Sequence, residues 1–181
     1  MRELIHGDRF LGEIFSIHLR AMTNGYINSN AMLNWRQRED LSGLNTLFVG
    51  IYAEVIHRWF GYAKAVTADA KTFIKERPTE EEGMKSVTRP DAVFTICEME
   101  NGALMRCEWS GLASPQPESL LEAYGSKGAI RYHFDTDEIY TSRAGQPWEK
   151  IEIAPNLVKE WRVEQDFIDA IRTGKKVHPD F

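Results

Sequence analysis

The chain has little of several things that would announce a function. Its two cysteines, Cys97 and Cys107, form no C-x-x-C pair in 181 residues, so the thiolate spacing of zinc and redox sites is missing. Its histidines, His6, His18, His57, His133 and His178, never stand three or four residues apart, the spacing by which one helix face holds a metal. It contains no G-x-G-x-x-G, no G-x-x-x-x-G-K-[ST] and no G-x-S-x-G, which leaves out a dinucleotide loop, a P-loop and a nucleophile elbow. No apolar run approaches the roughly 18 to 20 residues that span a bilayer, and MRELIHGDRF lacks the apolar core of a signal peptide. There is no basic block either. With 22 Lys and Arg against 27 Asp and Glu, both signs are mixed and the net charge is −5, so nucleic acid is not an expected partner. A soluble, cytoplasmic chain is the expectation.

What is present is enough apolar material for one core. Hydrophobic residues make up 43% and aromatics 11% of the chain, which suits a single domain over residues 1–181. MRELIHGDRF reads as the last turns of a helix stopped by Gly7, as if cut from something longer. LGEIFSIHLRAM alternates like a strand, with Ile14, Ser16, His18 and Arg20 on one side and Phe15, Ile17 and Leu19 on the other. NGYINSNAMLNWRQREDLSG has no clear period and reads as a long loop carrying Tyr26, Trp35 and Arg36.

SGLNTLFVGIYAEVIHRWFG, residues 42–61, reads as one helix. Glu54, His57, Arg58 and Gly61 fall on one stripe, and Phe48, Tyr52, Val55 and Trp59 on another. The first is most simply a solvated face with a Glu54-to-Arg58 pair. On the second, the Tyr52 hydroxyl sits among apolar neighbours and needs a partner if buried. Gly50 costs about 1 kcal/mol against alanine inside a helix, so either close packing on a sheet or the approach of a ligand should compensate it.

Strands follow: YAKAVTADAKTF, a polar excursion KERPTEEEGMKSVTRP, then DAVFTICEME and LMRCEWSG joined at Asn101-Gly102. A two-residue turn there pairs Cys97 with Arg106 and Ile96 with Cys107, which sends the two sulfurs to opposite faces and argues against a disulfide. ESLLEAYGS, KGAIRYHF, EIYTS and WEKIEI continue as short strands separated by turn signals. YGSKG is read as a hairpin turn, since a strand and not a helix follows it. WRVEQDFIDAIRTG is a second helix, with Trp161, Phe167, Ile168 and Ile171 to one side and Gly174 as its stop. The order argues for an α+β fold: an open, mostly antiparallel sheet with helices packed on one face.

Several pieces in this order resemble the C-terminal domain of the Gfo/Idh/MocA oxidoreductases: LGEIFSI, NWR at 34–36, the 42–61 segment, YAKAVTA, PDAVFTICEMENGALMRCEWS, EAYGSKGAIRY and FIDAIRTGKKVHPDF. The resemblance implies a two-domain enzyme whose N-terminal Rossmann half, missing from this chain, binds NAD or NADP and brings a catalytic lysine in an E-K-P motif. It also implies a C-terminal domain that shapes the substrate pocket and forms homo-oligomers through its sheet. HPDF would then stop short of a final helix. In that family the helix carries D-x-G-x-H-x-x-D. Setting Gly50 on the motif's glycine puts Phe48 at the first Asp, Tyr52 at the His and Val55 at the second Asp.

The usual acid/base pair is therefore replaced, and the resemblance makes Tyr52 the first catalytic candidate and Glu54 the second. Trp35, Arg36 and Asn45 are then substrate-pocket residues. The function implied is part of an NAD(P)-dependent oxidoreductase moving hydride between nicotinamide and a sugar, cyclitol or similar polyol, with residues 1–181 inactive alone. The alternative is a ligand-binding or dimerisation module that keeps the fold without the acid/base residues.

Overall fold

The computed structural model describes residues 1–81, 83–114, 117–158 and 162–175. They divide into two compact units, 1–151 and 152–181. In the first unit an eight-stranded sheet runs in the order β10-β9-β8-β7-β1-β6-β5-β2. Its strands are β1 Ile14–Met22, β2 Ala63–Lys71, β5 Ala92–Met99, β6 Leu104–Ser110, β7 Ser119–Gly125, β8 Ala129–His133, β9 Glu138–Ser142 and β10 Glu149–Ile151; β3 Glu76–Thr79 and β4 Gly83–Ser86 form a separate hairpin. All neighbours in the large sheet are antiparallel except the central β1 and β6. The open, mostly antiparallel sheet expected from sequence is what forms.

The two-residue period sets its faces. Ile17, Leu19 and Ala21 of β1, Met105, Cys107 and Trp109 of β6, and Leu121 and Ala123 of β7 are buried in one core. Phe15, expected on that side, is 54% exposed. The pairing of β1 with β7 slips between Ile14 and Ser16, so Phe15 is the extra residue of a bulge and leaves the buried row.

The 42–61 segment is not one helix. A four-residue α1, Glu39–Ser42, ends at Gly43, and α2 begins only at Val49 and runs to Phe60. Between them Gly43 (φ +57°), Leu47 (φ +48°) and Phe48 (φ +59°) take left-handed backbone. Periodicity cannot see such a break, because the apolar residues keep their spacing through it. In α2 Ile56 and Phe60 are buried, and Val49, Tyr52 and Trp59 pack against the same core. Trp59 meets Tyr132 of β8 edge-on at 5.4 Å between ring centroids, so this helix covers one sheet face.

The β5–β6 turn corrects a second expectation. Met99 N–H donates to Ala103 O at 2.9 Å, Asn101 Oδ1 accepts from Ala103 N–H at 3.0 Å, and Gly102 has φ +85°. The loop thus has three residues, with glycine in the left-handed position. Cys97 then pairs with Met105 and Thr95 with Cys107, which puts both sulfurs on the buried face, not on opposite ones. Both thiols are free, and burial pushes Cys107 up to about 12.

The polar excursion also hides structure. Arg77 of β3 is 1% exposed. Its guanidinium donates to the carbonyls of Asn28 at 2.6 Å, of Ala31 at 3.4 Å and of Tyr26. The long loop after β1 is therefore tied down by a side chain that arrives some fifty residues later. Buried Asp91 does the same for the turn after β2, accepting from Phe73 N–H and Ile74 N–H, each at 2.9 Å. The YGSKG turn closes as a hairpin, Gly125 N–H donating to Gly128 O at 2.9 Å, and docks on the segment before β1, with Ser126 N–H donating to Glu13 O and Lys127 N–H to Leu11 O.

At the start of the chain, Glu3–Gly7 is a single wide turn, closed by Asp8 N–H on Glu3 O at 2.9 Å. In the second unit, α3 spans Val163–Thr173 and stops at Gly174 (φ +68°), where the sequence places it. Phe167, Ile168 and Ile171 are exposed on it, while Trp161, His178 and the HPDF end lie outside the described residues. Among the described residues no helix is long and apolar enough to cross a membrane.

Candidate functional site

The left-handed pair Leu47 and Phe48 decides where the site opens. Non-glycine residues in that region each cost on the order of 1 kcal/mol or more, and here the result is that the Phe48 ring stands between two clefts.

The first cleft, of about 460 Å³, is lined by Phe48, Ile51, Tyr52 and Val55 of α2 together with Thr23, Ser119, Phe134 and Asp135. The three positions that the resemblance sets on the family's Asp, His and Asp all face it. Tyr52 meets Phe134 edge-on at 5.0 Å. Among the described residues its hydroxyl makes no hydrogen bond, unlike that of neighbouring Tyr132, which donates to Asp137 Oδ1 at 2.6 Å. Burial, then that hydrogen bond, push Tyr132 well above the usual tyrosine value, so Tyr132 keeps its proton and Tyr52 is the hydroxyl left available. Asp135 is the cleft's one ionisable carboxylate; its Oδ2 accepts from Ser119 N–H at 2.9 Å.

The second cleft, of about 470 Å³, shares Thr23 and Phe48 with the first and adds Asn24, Tyr26, Asn34, Trp35 and Arg36. NWR forms it locally. Trp35–Gln37 is one turn of 3₁₀ helix, with Asn34 Oδ1 accepting from Arg36 N–H at 2.9 Å and Gln37 Oε1 accepting from Asn34 N–H at 3.2 Å. This reciprocal cap fixes the direction in which Trp35 and Arg36 leave the backbone.

Of the residues singled out from sequence, Tyr52 lies in the first cleft, and Trp35 and Arg36 lie in the second. Glu54 lies in neither. Its carboxylate accepts from Arg58 Nη2 at 2.8 Å and Nε at 3.1 Å, the i,i+4 surface pair read from its spacing. Asn45, expected on the helix, sits in the irregular segment before it, exposed and outside both clefts. Gly50 has nothing within 4 Å of where a Cβ would be, so sheet packing does not explain it.

Asp135 and Ser119 were missed. Asp135 sits in the DTD turn signal, where an aspartate is expected for backbone reasons alone, and no local spacing joins it to Tyr52. Among the described residues no group of three or more His, Cys, Asp or Glu could hold a metal ion.

Comparison with solved structures places this architecture. An apo structure of levoglucosan dehydrogenase superposes with a TM-score of 0.85 at 21% identity, covering 99% of this chain and 55% of that one. An oxidoreductase domain protein from Kribbella flavida gives 0.79 at 21%, covering 99% and 54%. An inositol dehydrogenase homolog complexed with NAD+ from Azotobacter vinelandii gives 0.66 at 19%, covering 83% and 39%. The chain thus spans about half the length, or less, of these structures. No curated protein sequence matches it. The profile of the GFO/IDH/MocA C-terminal domain matches residues 1–131, and the chain belongs to that family.

Proposed function

We propose that the chain is the substrate-binding part of a nicotinamide-dependent oxidoreductase acting on a sugar, cyclitol or related polyol. The observation that carries this reading is the cleft in which the unengaged Tyr52 hydroxyl stands with Asp135 and Ser119 against an aromatic wall. The substrate class is supported by the similar levoglucosan dehydrogenase, solved with NADH and levoglucosan and with NADH and L-sorbose.

NAD or NADP, when bound, supplies the hydride acceptor or donor. The residues here fit one end of it: Phe48, Ile51 and Val55 offer an apolar wall to a flat ring, whereas the sequence holds no glycine-rich phosphate loop. Phosphate binding and the lysine acid/base then belong to a Rossmann domain outside residues 1–181. This chain's own contribution is to seat the polyol. Phe134 packs on its C–H face, Asp135 accepts from one hydroxyl, and Tyr52 exchanges a proton with the oxygen on the reacting carbon.

In the native protein, assayed against a panel of sugars and cyclitols with NAD+ and NADP+, Tyr52→Phe is expected to lower kcat about 100-fold. An unchanged kcat removes Tyr52 from proton transfer. No nicotinamide-dependent turnover anywhere in the panel overturns the enzyme reading in favour of a binding module, which Phe48 and Val55 at the family's acidic positions would suit.

The uncovered sheet face supports assembly as a homo-oligomer. Phe94, Ile96 and Leu104 are exposed there, on the side of β5 and β6 that also carries Glu98, Arg106 and Glu108. Ile96→Glu is expected to shift the native protein toward monomer in light scattering; an unchanged mass at micromolar concentration would remove this face from the interface.

A further inference from the structure

The second cleft holds an arginine that the first cleft's chemistry does not use. Arg36 places its guanidinium 4.0 Å from the centroid of the Trp35 ring and 4.5 Å from that of Phe48. The two rings, with the Asn34 cap behind them, fix the plane of the fork before any ligand arrives. Among the described residues no carboxylate pairs with it and no acceptor meets it. Its Nε is buried without a hydrogen-bond partner. Arg77 Nε is likewise unmet, but the Arg77 Nη groups donate to backbone carbonyls and Arg131 binds the Glu122 carboxylate at 2.6 Å, whereas the Nη groups of Arg36 have no such partner among the described residues.

The two Nη groups of Arg36 are not buried and have no protein partner among the described residues, so they are the donors an incoming oxygen can meet. The other polar groups lining this cleft, Thr23, Asn24, Tyr26 and Asn34, are uncharged, so among the described residues Arg36 sets the sign of the site. Asn34 Oδ1 is already occupied by Arg36 N–H, which leaves the side-chain NH₂ to donate. Donors outnumber acceptors, and the charge is positive.

We propose that this cleft binds an anionic substituent of the substrate, a carboxylate held end-on by the two Nη groups of the Arg36 fork, while the reacting carbon lies beyond Phe48 beside Tyr52. The proposal rests on the polyol reading above and narrows it to polyols with one acidic end. A planar carboxylate matches a single guanidinium edge with two parallel hydrogen bonds. A phosphate ester shares the charge, and the test separates the two sources.

Three six-carbon compounds differing only at C1 serve as probes in calorimetric titration of the native protein: sorbitol, gluconate and sorbitol 1-phosphate. Gluconate is expected to bind at least tenfold more tightly than sorbitol and more tightly than the phosphate ester. Arg36→Gln should abolish the preference, reducing the ratio of gluconate to sorbitol affinity to about one. Arg36→Lys keeps the charge but not the fork and should recover only part of the preference. An unchanged melting temperature shows that the variants fold.

Equal binding of all three compounds, binding of none, or a preference for gluconate that survives Arg36→Gln overturns the proposal. Tightest binding of sorbitol 1-phosphate overturns the carboxylate assignment. The polyol reading stands or falls separately on the turnover panel, where neutral sugars as the best substrates would refute the anion site alone.

Discussion

Replacing Arg77 by methionine is expected to destabilise the first unit by about 4 kcal/mol. The guanidinium donates to the carbonyls of Tyr26, Asn28 and Ala31, and each buried acceptor left unmet costs about 1–3 kcal/mol. Relief from burying a charge offsets part of this. Arg77→Lys should recover less than half, because an ammonium on a flexible stem cannot reach three carbonyls spread along a loop. Urea unfolding followed by circular dichroism measures the loss, and a change below about 1 kcal/mol would show that the loop holds itself. The same variant should weaken ligand binding beyond its effect on stability, since Tyr26, whose carbonyl Arg77 holds, lines the Arg36 cleft.

Gly125→Ala should cost about 3 kcal/mol, for a different reason. Its backbone is not left-handed, but an added Cβ would stand 2.3 Å from Leu11 O and 2.7 Å from Glu13 O. A flexible side chain could swing away; these oxygens cannot, because each is held by an N–H from the same turn, Lys127 on Leu11 and Ser126 on Glu13. Relieving the clash means breaking that docking, so the cost lies at the upper end of overpacking. Thermal unfolding of the alanine variant is the check. A melting temperature within a degree of the parent would mean that the turn and the Leu11–Glu13 segment part easily.

These two positions also mark where sequence reading succeeds and fails. Alternation found β1 and β7 because alternate residues of each are buried, and turn residues mark off β8, β9 and β10 after them. Sequence reading found the end of α2 at Gly61, but of the stripe Phe48, Tyr52, Val55 and Trp59 only Tyr52 and Trp59 pack on the core, whose buried α2 residues are Ile56 and Phe60. It could not find the break at Leu47 and Phe48, where ordinary residues take a backbone that their identity does not signal. It misplaced the Cys97 and Cys107 faces by one residue, since Asn-Gly suits both two- and three-residue turns.

Arg77 was hidden by its charged neighbours: burial of an arginine is decided by carbonyls from a loop some fifty residues earlier. The site shows the same division. NWR was legible as a piece because its cap is local. Tyr52 gained meaning from the family pattern, and Asp135 became visible only when the sheet brought its turn to the end of α2.

The parallel pairing of β1 with β6 has a consequence for how the chain is made. β1 is complete at Met22, but its partners begin at Leu104 and Ser119. At roughly 5–20 residues per second of synthesis, Ile17, Leu19 and Ala21 emerge and wait several seconds before either neighbour exists. The flanks can close meanwhile by local hairpins, β5 with β6 and later β7 through β10, while the strand between them arrives first and docks last. Placing this sheet's first-made strand between two younger half-sheets is a step of high sequence separation, the kind that is slow by nature. During that wait the most vulnerable surface of this sheet is its own first strand.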